Sequence, residues 1–220
     1  GEYREAHSSD NCHIATSFFE LVDPRFTYVF QKQLKKLHTD RIDFYSLEGV
    51  CDLNKMRDID SGAVDFLFEQ REAGHIGCLG FSSELSPKNL RDFIGRYPWD
   101  FVRMRVNYCD WFNKNGSARY EVAKEFNLPI IAHAALRTGA ASALKPEAVS
   151  ILKDANPDRS SIDWALRFVK SLDAIASVTC NMHSTREVKE NAAIFNDAET
   201  LSPEEFTVLE ACAKAQQKAH

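Results

Sequence analysis

The chain has 220 residues, 44% of them hydrophobic, with 27 Lys+Arg against 32 Asp+Glu and a formal net charge of −5. That length suits one domain, and the apolar share is enough to bury a core, so wholesale disorder is excluded. The longest apolar runs, such as Leu128–Ala135, fall far short of the roughly 20 residues a membrane helix needs. Gly1–Asp10 carries no apolar leader, and the acidic balance argues against nonspecific nucleic-acid binding. The expectation is a soluble, cytoplasmic protein with neither membrane nor nucleic acid as partner.

Short strand-like runs alternate with helical ones along the whole chain. Cys12–Thr16 is the first strand-like run. Pro24–Leu37 follows with Phe26, Val29, Phe30, Leu34 and Leu37 at three- and four-residue spacing, an apolar helix face whose opposite side carries Lys32, Lys35 and Lys36 as a solvated surface. Ile42–Leu47 and Ile76–Phe81 are the next two strands, bounded by polar and glycine residues. Ser86-Pro87 marks a helix start, with a capping hydroxyl ahead of a proline at the first helical position. Phe101–Val106 and Ile130–Ala134 read as strands, Ser160–Leu172 as a helix with Ile162, Ala165, Leu166 and Val169 on one face, and Ala174–Thr179 as the last strand. Ser184 suits the cap of a helix containing Val188 and Asn191, and Ser202-Pro203-Glu204-Glu205 opens a final helix with acids in its first turn. No linker interrupts the alternation, so residues 1–220 read as one domain.

This rhythm implies parallel strands joined by right-handed crossovers, closed either as a (β/α) barrel or as an open doubly wound sheet. Cys12–Phe18 contains no glycine, so the usual dinucleotide-binding fingerprint is absent after the first strand. The six cysteines, at 12, 51, 78, 109, 180 and 212, are at least 27 residues apart and form no metal or cluster signature. They read as free, buried thiols in a reducing compartment. His13, His38 and His75 have no ligand spacing, and no metal is expected.

Five motifs in order carry a resemblance to a known family. Leu34–Leu47 (LKKLHTDRIDFYSL) resembles the helix-to-strand passage LxxLxTDxIDxYxxH of aldo-keto reductases. Glu72–Ser82 (EAGHIGCLGFS) is similar to the EGKIRxIGFS strand. Tyr97–Phe101 with Asn107 and Tyr108 resembles a passage of the branch that often carries an iron–sulfur tail, and Asn127–Gly139 is similar to its GLPVIxMEPLRGG strand and loop. Ser177–Asn191 matches the phosphate-binding loop and its following helix. The resemblance covers about residues 10–215. It implies an α/β fold of (β/α) barrel type, with about six of the eight βα units present, and an NADP-dependent oxidoreductase.

The departures define the candidate site. The family's Asp and Tyr lie on a segment expected before this chain's first strand. Its Lys aligns with Ser17 and its His with Glu48, and the Gln that holds nicotinamide aligns with Arg103. With the Tyr and Lys gone, no group remains to give a proton to a carbonyl oxygen, so standard carbonyl reduction is not expected of this chain alone. Barrel strands present their active residues at their C-terminal ends. Glu48, His133 and Ser17 are the catalytic candidates, and Arg103, Arg105 and Asn107 the substrate-binding ones. The resemblance assigns Ser82, Asn181, His183, Ser184, Thr185, Arg186 and Asn191 to NADP; Asn181 replaces a Gly there, and no iron–sulfur cluster is implied, the Cys-rich tail being absent.

Glu48 with Arg103 or Arg105 is the most specific pair, because one charge change faces another and buried charges persist when paired. The pair reads either as a structural plug or as part of a site for a small, anionic ligand with Glu48 as acid or base. His133, on an apolar run, reads as a core histidine or a substrate contact. Six strands leave two open sheet edges, which invite a homo-oligomer or a companion chain. A noncatalytic subunit is the remaining alternative.

Overall fold

The computed structural model describes residues 12–19, 25–51, 62–136 and 144–217. Two compact units divide the chain, Gly1–Arg103 and Met104–His220.

The first unit holds β1 (Ala15–Phe18), α1 (Phe26–Leu37), β2 (Ile42–Val50), α2 (Ala63–Glu72), β3 (Ile76–Ser83) and α3 (Pro87–Ile94), and it ends within β4 (Phe101–Arg105). β1 pairs with β2 and β2 with β3, both parallel, so that Ser17, Ser46 and Gly80 stand in line across three strands. Side chains alternate across a strand, and here the two faces differ sharply in burial. Tyr45, Leu47, Leu79 and Phe81 face the helices and are fully buried, whereas Phe44, Glu48, Cys78 and Ser82 on the other face are only half-buried. The helices earn their places by sequence. α1 buries Phe30 and Leu34, α3 buries Leu90, Phe93 and Ile94, and Ser86 caps α3 by accepting from the Asn89 N–H at 3.4 Å ahead of Pro87. Phe81, Phe93 and Trp99 close the core, with the Phe81 and Phe93 rings edge-on at 4.8 Å.

The second unit begins inside β4 and continues with α4 (Tyr108–Asn113), α5 (Gly116–Glu125), β5 (Ile130–His133), α6 (Pro146–Ala155), α7 (Ser161–Lys170), β6 (Ile175–Thr179), α8 (Thr185–Asn196) and α9 (Pro203–Gln217). β5 and β6 are parallel. The Val106 N–H donates to the His133 carbonyl at 3.1 Å, beside the end of β4. Trp164, Phe168 and Val169 from α7 are fully buried. Arg167 on α7 is held by Asp163 and Asp197, each at 2.6 Å, and those bonds with Lys170 hold the Asp197 carboxyl well below the usual carboxylate range. At α9 the Ser202 hydroxyl and the Glu205 carboxylate exchange bonds with each other's backbone N–H, at 3.3 and 2.9 Å, which is a complete capping box. Strand order follows chain order, β1-β2-β3-β4-β5-β6, and the fold class is α/β of barrel type.

Two expectations need correction. The first strand runs Ala15–Phe18, three residues later than its sequence pattern, because the Ile14 N–H donates to the Asp43 carboxylate at 2.8 Å instead. The thiols are free, but only Cys109 and Cys212 are buried; Cys12 and Cys51 are exposed and Cys78 and Cys180 are half-buried. Cys12 precedes the strand, and Cys78 lies on the sheet face that no helix covers.

One glycine shapes the half-buried face of the first unit. A Cβ at Gly80 would sit 2.5 Å from the Phe101 carbonyl oxygen and 2.6 Å from its ring. The Phe101 ring instead lies over β3 and meets Phe44 on β2 at 6.0 Å. β3 is thus bare where β4 side chains cross it. Gly80→Val forces Phe101 out of place and costs on the order of 1–3 kcal/mol, as overpacked sites do. A urea unfolding midpoint at or above the parent's contradicts this packing.

Candidate functional site

β2 departs from regular pairing at its C-terminal end. Leu47 pairs with Phe81 and Val50 with Ser83, so three steps on β2 match two on β3. The extra residue lies at Glu48-Gly49, a bulge with Gly49 at φ +82°, a conformation glycine adopts without strain. The Phe19 ring packs where a Gly49 side chain would be. The bulge lies beside a carboxylate, Glu48, which alternation along β2 places on the same face as Ser46.

Arg103 reaches that carboxylate from two strands away. Its Nη1 donates to Glu48 Oε1, and to Ser46 Oγ at 3.4 Å; Ser46 Oγ in turn donates to the same Glu48 oxygen at 2.8 Å. Ser46 is buried, and the Glu48 and Arg103 side chains are 21% and 30% exposed. A half-buried ion pair with a shared hydroxyl is worth more than an exposed one, since less solvent screens it. The remaining guanidinium edge, Nε and Nη2, has no protein partner among the described residues. Ser17 lies in register with Ser46, its own carbonyl accepting from Gln33 Nε2 at 2.8 Å, and Ser82 is half-buried on β3 opposite the bulge. The expected Glu48–Arg103 pairing is therefore formed.

The candidates of the second unit fall into different settings. Arg105 and His133 are half-buried at the ends of β4 and β5. Asn107, a substrate-binding candidate, is 2% exposed and caps α4, its Oδ1 accepting from the Asp110 N–H at 2.8 Å and its amide donating to Asp110 Oδ2 at 3.0 Å. Asn181, His183, Ser184, Thr185 and Arg186 are exposed around the start of α8, and Asn191 is buried one turn further on. Ser184 caps α8 by accepting from the Glu187 N–H at 3.2 Å, while Glu187 Oε2 accepts from the His183 N–H at 2.8 Å. That backbone bond holds the Glu187 carboxyl below its ordinary range. Arg186 lies over Glu190 at 3.6 Å. The start of α8 thus already carries its own carboxylate and both of its own caps. Among the described residues no group of three His, Cys, Asp or Glu is placed to hold a metal, and no helix is long and apolar enough to cross a membrane.

Sequence reasoning missed Ser46, although it stands two residues from Glu48 on the same strand face. It also missed Glu187, whose signal is the Ser184-x-x-Glu187 spacing of a capping box.

The model of the aldo/keto reductase family matches residues 23–214. The chain belongs to the aldo/keto reductase family. No curated protein matches it. Among solved structures it is similar to an aldo-keto reductase from Bacillus halodurans. The holo form matches at 22% identity and a TM-score of 0.78, over 97% of this chain and 76% of that one. The apo form matches at 20% and 0.77, over 97% and 75%. An aldo-keto reductase enzyme from a Medee basin deep-sea metagenome library matches at 17% and 0.73, over all of this chain and 79% of that one. These likenesses carry the fold: this family member has the α/β barrel architecture, with six strands among the described residues.

A double-mutant cycle measures the pair in this family member. Glu48→Gln and Arg103→Met give a coupling energy on the order of 1–2 kcal/mol from urea unfolding. Additive single effects contradict a formed pair.

Proposed function

We propose that this aldo/keto reductase-family chain does not carry out carbonyl reduction with the residues at the Lys and His positions, and that its carboxylate–guanidinium couple is a binding element for a small anionic ligand. The observation that carries this reading is the Arg103 bond to Glu48 and Ser46 across β3. A serine at 17 and a paired glutamate at 48 leave no ammonium to lower a neighbouring phenol's pKa and no imidazole to orient a carbonyl. What they leave is a guanidinium whose plane is fixed from one side. Fixing that plane removes rotamer freedom in advance, so an oxyanion arriving at Nε and Nη2 forms two parallel bonds at reduced entropic cost. The Ser17 and Ser82 hydroxyls are the nearest register neighbours able to donate further. Glu48, adjacent to the bound ligand, holds the guanidinium from its other side.

The family's nominal cofactor, NADP, fits the α8 loop poorly. A phosphate held at the start of that helix needs backbone N–H groups aimed outward. The His183 N–H is bonded to Glu187 and the Glu187 N–H to Ser184, so two donors are taken and an incoming phosphate arrives beside a carboxylate. On this reading Ser82, Asn181, His183, Ser184, Thr185, Arg186 and Asn191 hold NADP weakly.

Malonate and inorganic phosphate serve as anion probes in calorimetry, with NADPH fluorescence measured beside them. The expected result is anion binding that weakens about 10- to 100-fold in Arg103→Ala, the loss of bonds to a charged group. NADPH is expected not to saturate below about 1 mM. Anion affinity unchanged in Arg103→Ala contradicts the binding role of the couple. Tight NADPH binding with turnover of simple aldehydes contradicts the whole reading.

A further inference from the structure

The outer surface of the first unit carries two charged stripes of opposite sign on neighbouring helices. α1 contains no acidic residue. Its exposed positions Tyr28, Lys32 and Lys35 recur at i, i+4 and i+7, with Lys36 beside them, so they form one stripe along the helix. Tyr28 is 51% exposed and lies under Arg25 at 4.8 Å and Lys32 at 5.7 Å. α2 shows the same spacing in the opposite charge: Asp65, Glu69 and Glu72 are exposed at i, i+4 and i+7. The two helices are packed together through Phe26 and Phe30 against Phe66, with ring centroids at 5.3 and 5.8 Å. Three lysines and three carboxylates thus lie side by side on one surface. Among the described residues none of the six is in an ion pair.

Like charges along a stripe repel, and in a chain of net charge −5 an acid-free helix is a local reversal of sign. Two copies of such a surface, related by a two-fold axis, place each basic stripe on the partner's acidic one and bury both exposed Tyr28 rings near the axis. A surface that is its own complement in this way is what an isologous dimer requires. Charge complementarity of this kind sets orientation and association rate, and salt weakens it because its charges are solvent-screened beyond about 10 Å at 0.1 M.

We propose that α1 and α2 form a self-association surface on which a second copy of this chain docks, the lysine stripe of each copy against the carboxylate stripe of the other. This surface is distinct from the strand edges of β1 and β6, and it does not depend on the ligand assigned to Arg103.

Sedimentation velocity tests it on the full chain at micromolar concentration. The wild type is expected to sediment as a dimer in about 20 mM NaCl and to dissociate at least about tenfold more readily in about 0.5 M. Lys32→Glu/Lys35→Glu/Lys36→Glu makes both stripes acidic, and Asp65→Lys/Glu69→Lys/Glu72→Lys makes both basic. Each triple variant alone is expected to be monomeric, and an equal mixture of the two to form a dimer. Recovery in the mixture also shows that both variants are folded. A wild type that is monomeric at both salt concentrations overturns the proposal. So does a dimer that survives high salt or either reversal, because such a contact lies elsewhere, as pairing at a strand edge does.

Discussion

A guanidinium on β4 meets a carboxylate on β2 across the strand between them. Glu48 stands two residues from Ser46 on one face of β2, beside the bulge at Gly49, and Gly80 on β3 makes room for the Phe101 ring. Ser46 then joins the two charged groups through one buried hydroxyl. In a parallel sheet, neighbouring strands lie about 4.8 Å apart, so an interaction across two spacings couples three strands at once. The couple therefore fixes the C-terminal ends of β2, β3 and β4, where a barrel of this type does its chemistry.

Electrostatic completeness separates the two groups of candidate residues. At Arg103 one edge is satisfied internally and the other is left open, an arrangement that can still accept something. At the start of α8 two backbone donors are used from within, the His183 N–H by Glu187 and the Glu187 N–H by Ser184. A helix start that supplies its own carboxylate gains stability from its N-cap and its dipole.

Much of the fold was legible because its signals are local. The strand runs from Ile42, Ile76, Phe101, Ile130 and Ala174 alternate or run apolar within a few residues, and Ser86, Ser184 and Ser202 cap helices where their sequences announce it. Glu48 and Arg103 were legible as a pair because two charge changes at facing positions make sense only together. What escaped is non-local. Ser46 reads as an ordinary small strand residue until Arg103 arrives from 57 residues away. That Asn107 caps α4 was likewise hidden, because the turn into the helix follows immediately after it. The start of β1 slipped because Asp43, 29 residues away, competes for the Ile14 N–H.

The couple itself is most directly tested by nitrogen-edited NMR of the Arg103 guanidinium. Bonded to Glu48 and Ser46, its two Nη groups are inequivalent and rotation about the Cζ–Nη bonds is slowed, so separate signals are predicted at low temperature in the wild type and a single averaged signal in Glu48→Gln. An averaged Arg103 signal in the wild type, unchanged by that substitution, would contradict the account.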